Sequence, residues 1–322
     1  MRFVDVAGVR LSAIGLGCWQ FGSSDWGYGE DYARNEAGAI VNRALDLGVN
    51  LVDTAEIYGY GRSERIVGDA IRARRDSVFL ATKLFPLLPL APVVEQRARG
   101  SARRLGVDTI DLYQVHWPNP VVPNAPTMDG MRRVLDAGLV RHAGVSNFPL
   151  RRWQDAEQRL GRTVISNQVQ YSLVQRKPER DLLPHAQEAG RVVIAYSPLA
   201  QGLLSGKYDG TSPPQGWVRR GNALFLPENI ARAGELLNAL RQIAKQHDAT
   251  PAQVALAWVI RRPNVVAIPG ASSVAQLESN VAAADLELSA EDDALLTDAA
   301  DRFQPRTGPS TVPALARAVF GR

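Results

Sequence analysis

The sequence predicts an α/β protein built as a (β/α)₈ barrel. Two observations carry that prediction. Short apolar runs alternate with amphipathic stretches along the chain, as when strands are joined by helical crossovers into a parallel sheet. There are eight such units in about 270 residues, near the ~250 typical of these barrels. A doubly wound sheet is the structural alternative. No linker, low-complexity tract or short-period repeat divides the chain, so residues 1–322 read as a single domain.

The elements follow in order. The opening residues alternate Phe3, Val4, Val6, Val9 and Leu11 around Ala7-Gly8, which reads as a short β-hairpin. Strands are expected at AIGLG (13–17), NLVDT (50–54), VFLATK (78–83), IDLYQVH (110–116), VRHAGVS (140–146), VISNQVQ (164–170), VVIAYS (192–197) and VVAIPG (265–270). Helices are expected near 35–48, 62–74, 92–105, 127–138, 149–160, 178–189, 229–260 with a break near Pro251, and 273–284. One long irregular segment, 200–227, is rich in Gly and Pro and follows the seventh strand. Loops of that length inside compact domains are usually functional.

Composition narrows the function. The chain is 45% hydrophobic and 22% charged, which excludes wholesale disorder and fibrous architecture. Its net charge of +4 is spread along the chain without a basic run, so no nucleic-acid partner is expected. The basic residues are 33 Arg and only four Lys, which makes each lysine conspicuous. A single Cys18 can form no internal disulfide and fits a reducing compartment. The start carries charges at Arg2, Asp5 and Arg10 and lacks the apolar core of a signal peptide. No stretch reads as a membrane span, and a cytoplasmic location is expected.

Several familiar motifs fail. Gly15-Leu16-Gly17 follows a strand, but Gln20 stands where a dinucleotide fingerprint needs its third glycine. The segment Gly202 to Lys207 is one residue short of a phosphate-binding loop and is followed by Tyr208. No His pair has metal-ligand spacing, and no metal is expected. Asp108 and Asp111 fall on opposite strand faces, which suggests surface or capping roles.

Barrel chemistry sits where strands end and βα loops begin. Strand two ends at Asp53 and its loop carries Tyr58; strand three ends at Lys83; strand four ends at His116. Singly these read as a turn cap, a packing aromatic, a surface lysine and a core histidine. Together they bring a carboxylate, a phenol, an amine and an imidazole to one mouth. A phenol near pKa ~10 is a poor acid at neutral pH. A nearby ammonium lowers that value, and a carboxylate holds the ammonium in place. An imidazole can orient a carbonyl oxygen and stabilise charge growing on it. The set suits protonation of an oxygen whose carbon accepts a hydride, and side chains cannot supply the hydride.

The stretch DTAEIYGYGRSERIVGDAI (53–71), with ATK (81–83) and LYQVHWP (112–118), resembles the aldo-keto reductases. So do GVSNF (144–148), SNQVQYS (166–172), AYSPLAQGLLSGKY (195–208) and IPGASSVAQLESN (268–280), in order and at matching spacing. The likeness is strongest to bacterial members. It implies a barrel whose N-terminal hairpin closes the bottom, reducing aldehydes or ketones to alcohols with a nicotinamide cofactor. It implies Tyr58 as general acid, Lys83 lowering its pKa, Asp53 pairing with Lys83, and His116 steering the carbonyl. Ser146, Asn147 and Gln168 would bind the nicotinamide amide, and Tyr196 would stack on its ring. Ser197, Leu199, Gln201 and Leu203 would cover the pyrophosphate. Ser272, Gln276 and Asn280 would meet the adenosine end. Barrels often bind phosphate at the loops after strands seven and eight, in agreement.

Many relatives carry Arg or Lys at the position of Ser272, or Arg at that of Gln276, and the usual Glu before Asn280 is Ser279 here. The resemblance implies NADP(H) over NAD(H), and these departures make the expected preference only modest. Trp19, Phe21, Trp26 and Tyr28 near the first βα loop, with Trp117 after His116, suggest an aromatic substrate pocket lined by Trp19, Trp26 and Trp117. Trp153 and Trp258 fall on helices and read as packing residues. The expected partner is a small-molecule carbonyl compound, with no membrane partner, and the protein is expected to be a monomer or small homo-oligomer. Two other readings are a nucleotide-binding regulatory subunit of an ion channel with little turnover and a metal-dependent barrel hydrolase. The complete set of Asp53, Tyr58, Lys83 and His116 favours the enzyme over the first, and the second needs ligands the sequence lacks.

Overall fold

A computed structural model describes residues 1–22, 36–208 and 216–320. The hairpin pairs β1 (Phe3–Val6) with β2 (Val9–Ser12), and Ala7 and Gly8 at its turn both have positive φ. That is the backbone a two-residue turn matching strand twist requires. Eight parallel strands follow: β3 (Leu16–Gly17), β4 (Leu51–Asp53), β5 (Phe79–Leu84), β6 (Ile110–Val115), β7 (Val140–Ser146), β8 (Val164–Gln170), β9 (Val192–Tyr196) and β10 (Val265–Ala267). They lie side by side in chain order. A parallel bridge between Ile14 and Ala267 joins the first to the last, with Ala267 N donating to Ala13 O and Gly15 N to Ala267 O. The sheet therefore closes on itself as a (β/α)₈ barrel. Gly17 lies on this seam, where a Cβ would stand 2.6 Å from the carbonyl oxygen of Ile268.

The helices are α1 (Ala37–Asp46), α2 (Arg62–Ile71), α3 (Ala91–Leu105), α4 (Asn124–Asp136), α5 (Leu150–Leu160), α6 (Leu182–Glu188), α7 (Trp217–Arg220), α8 (Pro227–Arg232), α9 (Gly234–Gln246), α10 (Pro251–Ile260), α11 (Val274–Ala282), α12 (Ala290–Arg302) and α13 (Val312–Phe320). The expected break near Pro251 is a capping box. Thr250 Oγ1 accepts from Gln253 N, the Gln253 side chain reaches back, and Pro251 occupies the first turn. The helix expected over 62–74 ends as an α-helix at Ile71 and tightens into a 3₁₀ turn. The sequence reading missed α7, α12 and α13. For α12 the signal was present: Ser289 and Asp292 form another capping box. Among the described residues no helix is long and apolar enough to cross a membrane.

The barrel interior has two layers. At the bottom, Val6 and Leu11 of the hairpin pack with Leu51, Ala81, Leu112, Ile194 and Val266, so the hairpin plugs that end. Two residues further along β4 and β5, on the same face, stand Asp53 and Lys83; Gln114 follows Leu112 in the same way. Strand periodicity thus places an apolar floor beneath a polar layer. Asp111 differs from the surface role expected of it. It is buried, accepts from Leu80 N, and pairs with Arg75 and Arg141, whereas Asp108 precedes β6 and is exposed.

Candidate active site

Four chain segments converge at the C-terminal mouth. Lys83 is fully buried, and its Nζ donates to Asp53 Oδ2 at 2.6 Å, to Thr54 O at 2.8 Å and to Tyr58 Oη at 3.2 Å. All three ammonium protons have acceptors. Asp53 Oδ1 accepts from Gln168 Nε2 at 2.8 Å and from Gln114 Nε2 at 3.4 Å. A buried charge pair is tolerated when its remaining polar atoms are satisfied in this way. His116 joins from the end of β6, its ring 5.8 Å from that of Tyr58 and stacked on Trp117 at 3.7 Å. The structure therefore brings Asp53, Tyr58, Lys83 and His116 together. Gln114 was overlooked in the sequence, although its spacing from His116 places both on the inward face.

Burial and the Lys83 charge hold the His116 imidazole down to about 2, so it is neutral. Among the described residues its buried Nδ1 has no hydrogen-bond partner, an orphan beside the tyrosine that a ligand could engage. Burial pushes the Lys83 ammonium down, but Asp53 and Tyr58 more than offset this, and its pKa lies above the ordinary lysine value. For Tyr58 the net direction corrects the sequence expectation. Lys83 does pull its pKa down, but burial pushes harder, with Asp53 adding to it, and the phenol ends above its ordinary value. At neutral pH it keeps its proton.

The Tyr58 loop is held by close backbone contact. Gly59 has φ +56, and a Cβ there would stand 1.9 Å from Gly22 O; a Cβ on Gly22 would meet the Tyr58 carbonyl at 2.5 Å. Ser63 fixes the other side, its hydroxyl donating to Cys18 O and hydrogen-bonded to Thr54 Oγ1.

The residues expected to hold a cofactor line the same mouth and the loops beyond it. Ser146 Oγ donates to Gln168 O, Asn147 Nδ2 donates to His116 O and Ser146 Oγ, and Tyr196 Oη donates to Asn147 Oδ1. Gln168 gives one of its two amide hydrogens to Asp53, and its amide oxygen can accept from a carboxamide N–H. After β9, Ser197, Ala200 and Gln201 have φ of 49°, 49° and 57°, and Gly202 has 101°. Such strained runs cluster at ligand clamps. Gln201 is fixed by Arg219 Nε to its carbonyl and Asn222 Nδ2 to its side chain, two contacts the sequence did not signal. Leu199 and Leu203 pack into the core from this turn. At the start of α11, Ser272 N and Oγ both donate to Gln276 Oε1, and Asn280 Nδ2 donates to Gly270 O. The donor set, the strained turn and the helix start fit a dinucleotide laid across the mouth. Trp19 and Trp117 are partly exposed there, while Trp153 and Trp258 are buried packing residues. Trp26, Tyr28 and residues 209–215 lie outside the described residues.

Comparison with known proteins shows the family and the fold. A model of the aldo/keto reductase family matches residues 13–301. An uncharacterised oxidoreductase of Mycobacterium tuberculosis is 56% identical over 306 residues, covering 95% of this chain and 94% of its own length. An NADH-specific methylglyoxal reductase of Escherichia coli is 30% identical over 319 residues, covering 92% and 97%. The crystal structure of an aldo/keto reductase from Klebsiella pneumoniae, in complex with NADP and acetate, superposes with a TM-score of 0.74 at 31% identity, covering 95% of this chain and 96% of that one.

Proposed function

The chain belongs to the aldo/keto reductase family, and on that premise we propose that it reduces aldehydes or ketones to alcohols with NADPH or NADH, Tyr58 acting as general acid. The observation that carries the proposal is the bond from the buried Lys83 ammonium to Tyr58 Oη, with Asp53 behind it and a neutral His116 beside it. The nicotinamide cofactor, when bound, supplies the hydride. His116, held neutral, donates a hydrogen bond that orients the carbonyl oxygen. Tyr58 keeps its proton until charge grows on that oxygen, then transfers it from Oη. Lys83 stabilises the tyrosinate left behind, and Asp53 keeps Lys83 in place.

Ser146, Asn147 and Gln168 are assigned to the nicotinamide amide and Tyr196 to its ring. Ser197, Leu199, Gln201 and Leu203 are assigned to the pyrophosphate, and Ser272, Gln276 and Asn280 to the adenosine end. Trp19, Trp26 and Trp117 are assigned to the substrate pocket. NADP(H) is favoured modestly over NAD(H). The Klebsiella complex supports NADP(H), and the NADH-specific relative keeps the margin small. We place the whole chain in one barrel domain, acting on small carbonyl compounds in the cytoplasm as a monomer or small homo-oligomer.

The test is consumption of NADPH and of NADH over a panel of aldehydes, ketones and sugars that includes methylglyoxal, with Tyr58→Phe alongside. General acid catalysis contributes about 10²–10⁴-fold, so the variant should lose at least about 100-fold in turnover while its cofactor affinity stays within about twofold. Retention of more than a tenth of the wild-type rate would refute the assignment.

A further inference from the structure

On the outer flank of the barrel a groove of about 530 Å³ runs between α2 and α3. Its floor is set by close helix contact, since a Cβ on Gly68 would stand 2.3 Å from Leu105 O. Four guanidiniums line it: Arg65 from α2, Arg72 from the 3₁₀ turn that directly follows α2, and Arg103 and Arg104 from the last turn of α3. Arg72 is paired with Asp69 at 2.5 Å, and Arg104 Nε with the fully buried Glu64 at 2.5 Å. Glu56, 3.9 Å from Arg104, is itself matched by Arg97 at 2.9 Å. Arg65 and Arg103 have no carboxylate within ion-pair distance among the described residues, which leaves two positive charges unbalanced.

Arg104 is positioned in advance. Its stem passes where a Cβ on Gly61 would stand, 2.4 Å from Cδ, and its Nη1 lies 3.3 Å from where a Cβ on Gly100 would be. Glu64 holds Nε and Ser101 Oγ accepts from Nη2, so Nη1 is the nitrogen left to the groove, over Gly100. A preorganised guanidinium with a free Nη1, flanked by the exposed and unpaired Arg65 and Arg103, is an arrangement that binds phosphate oxygens through charge-assisted hydrogen bonds. We propose that this groove is a binding site for a small phosphomonoester, a phosphorylated metabolite whose two negative charges balance Arg65 and Arg103. The volume falls in the range of small-molecule sites and exceeds what a bare phosphate fills.

The test is isothermal titration of the protein saturated with NADPH, which occupies the dinucleotide site, at constant ionic strength. The probes are glucose 6-phosphate and inorganic phosphate. The expected result is saturable one-to-one binding, tighter for glucose 6-phosphate. It should weaken about tenfold or more in Arg65→Glu and in Arg103→Glu, since each removes a charge-assisted contact. Arg151→Glu, an exposed position on α5, makes the same change in net charge and should leave the affinity unchanged. Arg65→Gln and Arg103→Gln are measured in parallel, so a charge-reversed protein that does not fold leaves the test intact. No saturable binding, or equal weakening by Arg151→Glu, overturns the site; binding of inorganic phosphate alone overturns the metabolite assignment. The readout is binding, so it stands whether or not the chain reduces carbonyls.

Discussion

Replacing Asp53 by Asn tests how the buried ammonium is held. Asp53 is 2% exposed and Lys83 fully buried, so neither charge has water to fall back on. At 2.6 Å and an effective dielectric of about 20, their attraction is about 6 kcal/mol before desolvation is counted. Both carboxylate oxygens accept: Oδ2 from Lys83, Oδ1 from Gln168 and Gln114. An amide turns one of those oxygens into a donor, so at least one contact becomes donor against donor. Removing one partner of a buried pair typically costs about 3–5 kcal/mol, because the other charge is left uncompensated. Asp53→Asn should therefore lose about that much unfolding free energy at pH 7, and turnover with it. The sign of the pH dependence differs between the two proteins. In the wild type Lys83 has a raised pKa, so its stabilisation is fully present below the unfolded lysine value of ~10.4 and is lost as pH rises through the folded value. In the variant burial acts on Lys83 without its counter-charge and depresses its pKa. The deficit should then be largest at low pH and shrink as pH rises. Urea unfolding of both proteins without cofactor, at a series of pH values from 6 to 9.5, measures this. A deficit below about 1 kcal/mol at pH 7, or one that does not change with pH, would show that Asp53 is not the compensating charge.

Two further outcomes are expected. With His116 held to about 2, kcat/KM should show no limb near the ordinary histidine value; it should fall only at alkaline pH, as Tyr58 loses the proton it must donate. A limb near pH 6.5 in a pH–rate profile would overturn the neutral-imidazole role. Ser272→Arg should break the Ser272–Gln276 side-chain bond and tighten NADPH by about 10–100-fold while NADH barely moves, since a charge-assisted contact contributes about 1.5–3 kcal/mol. Fluorescence titration of both cofactors checks this, and equal improvement for both would show that residue 272 does not face the 2′-phosphate.

Local signals were legible because periodicity and turn chemistry are properties of neighbouring residues. The hairpin turn at Ala7-Gly8, all eight barrel strands and the break at Thr250-Pro251 could be read without tertiary information. So could the strand-end positions of Asp53, Lys83 and His116, once a barrel was assumed. The Ser289–Asp292 capping box is equally local, so the start of α12 is also encoded in neighbouring residues.

What the sequence determined by itself was the alternation of eight strand–helix units, the hairpin that precedes them, and the residue types delivered to the barrel mouth. Tertiary structure alone decided how those residues are shared out. Gln168 reaches Asp53 across 115 positions of chain and Gln114 across 61, and no local pattern encodes either bond. Asp111 became a buried ion-pair partner because Arg75 and Arg141 arrive from either side of its strand. The tyrosine's pKa also waited on the fold. The sequence supplies a lysine that pulls it down, but burial is a property of everything packed around the phenol, and here burial is the larger of the two effects.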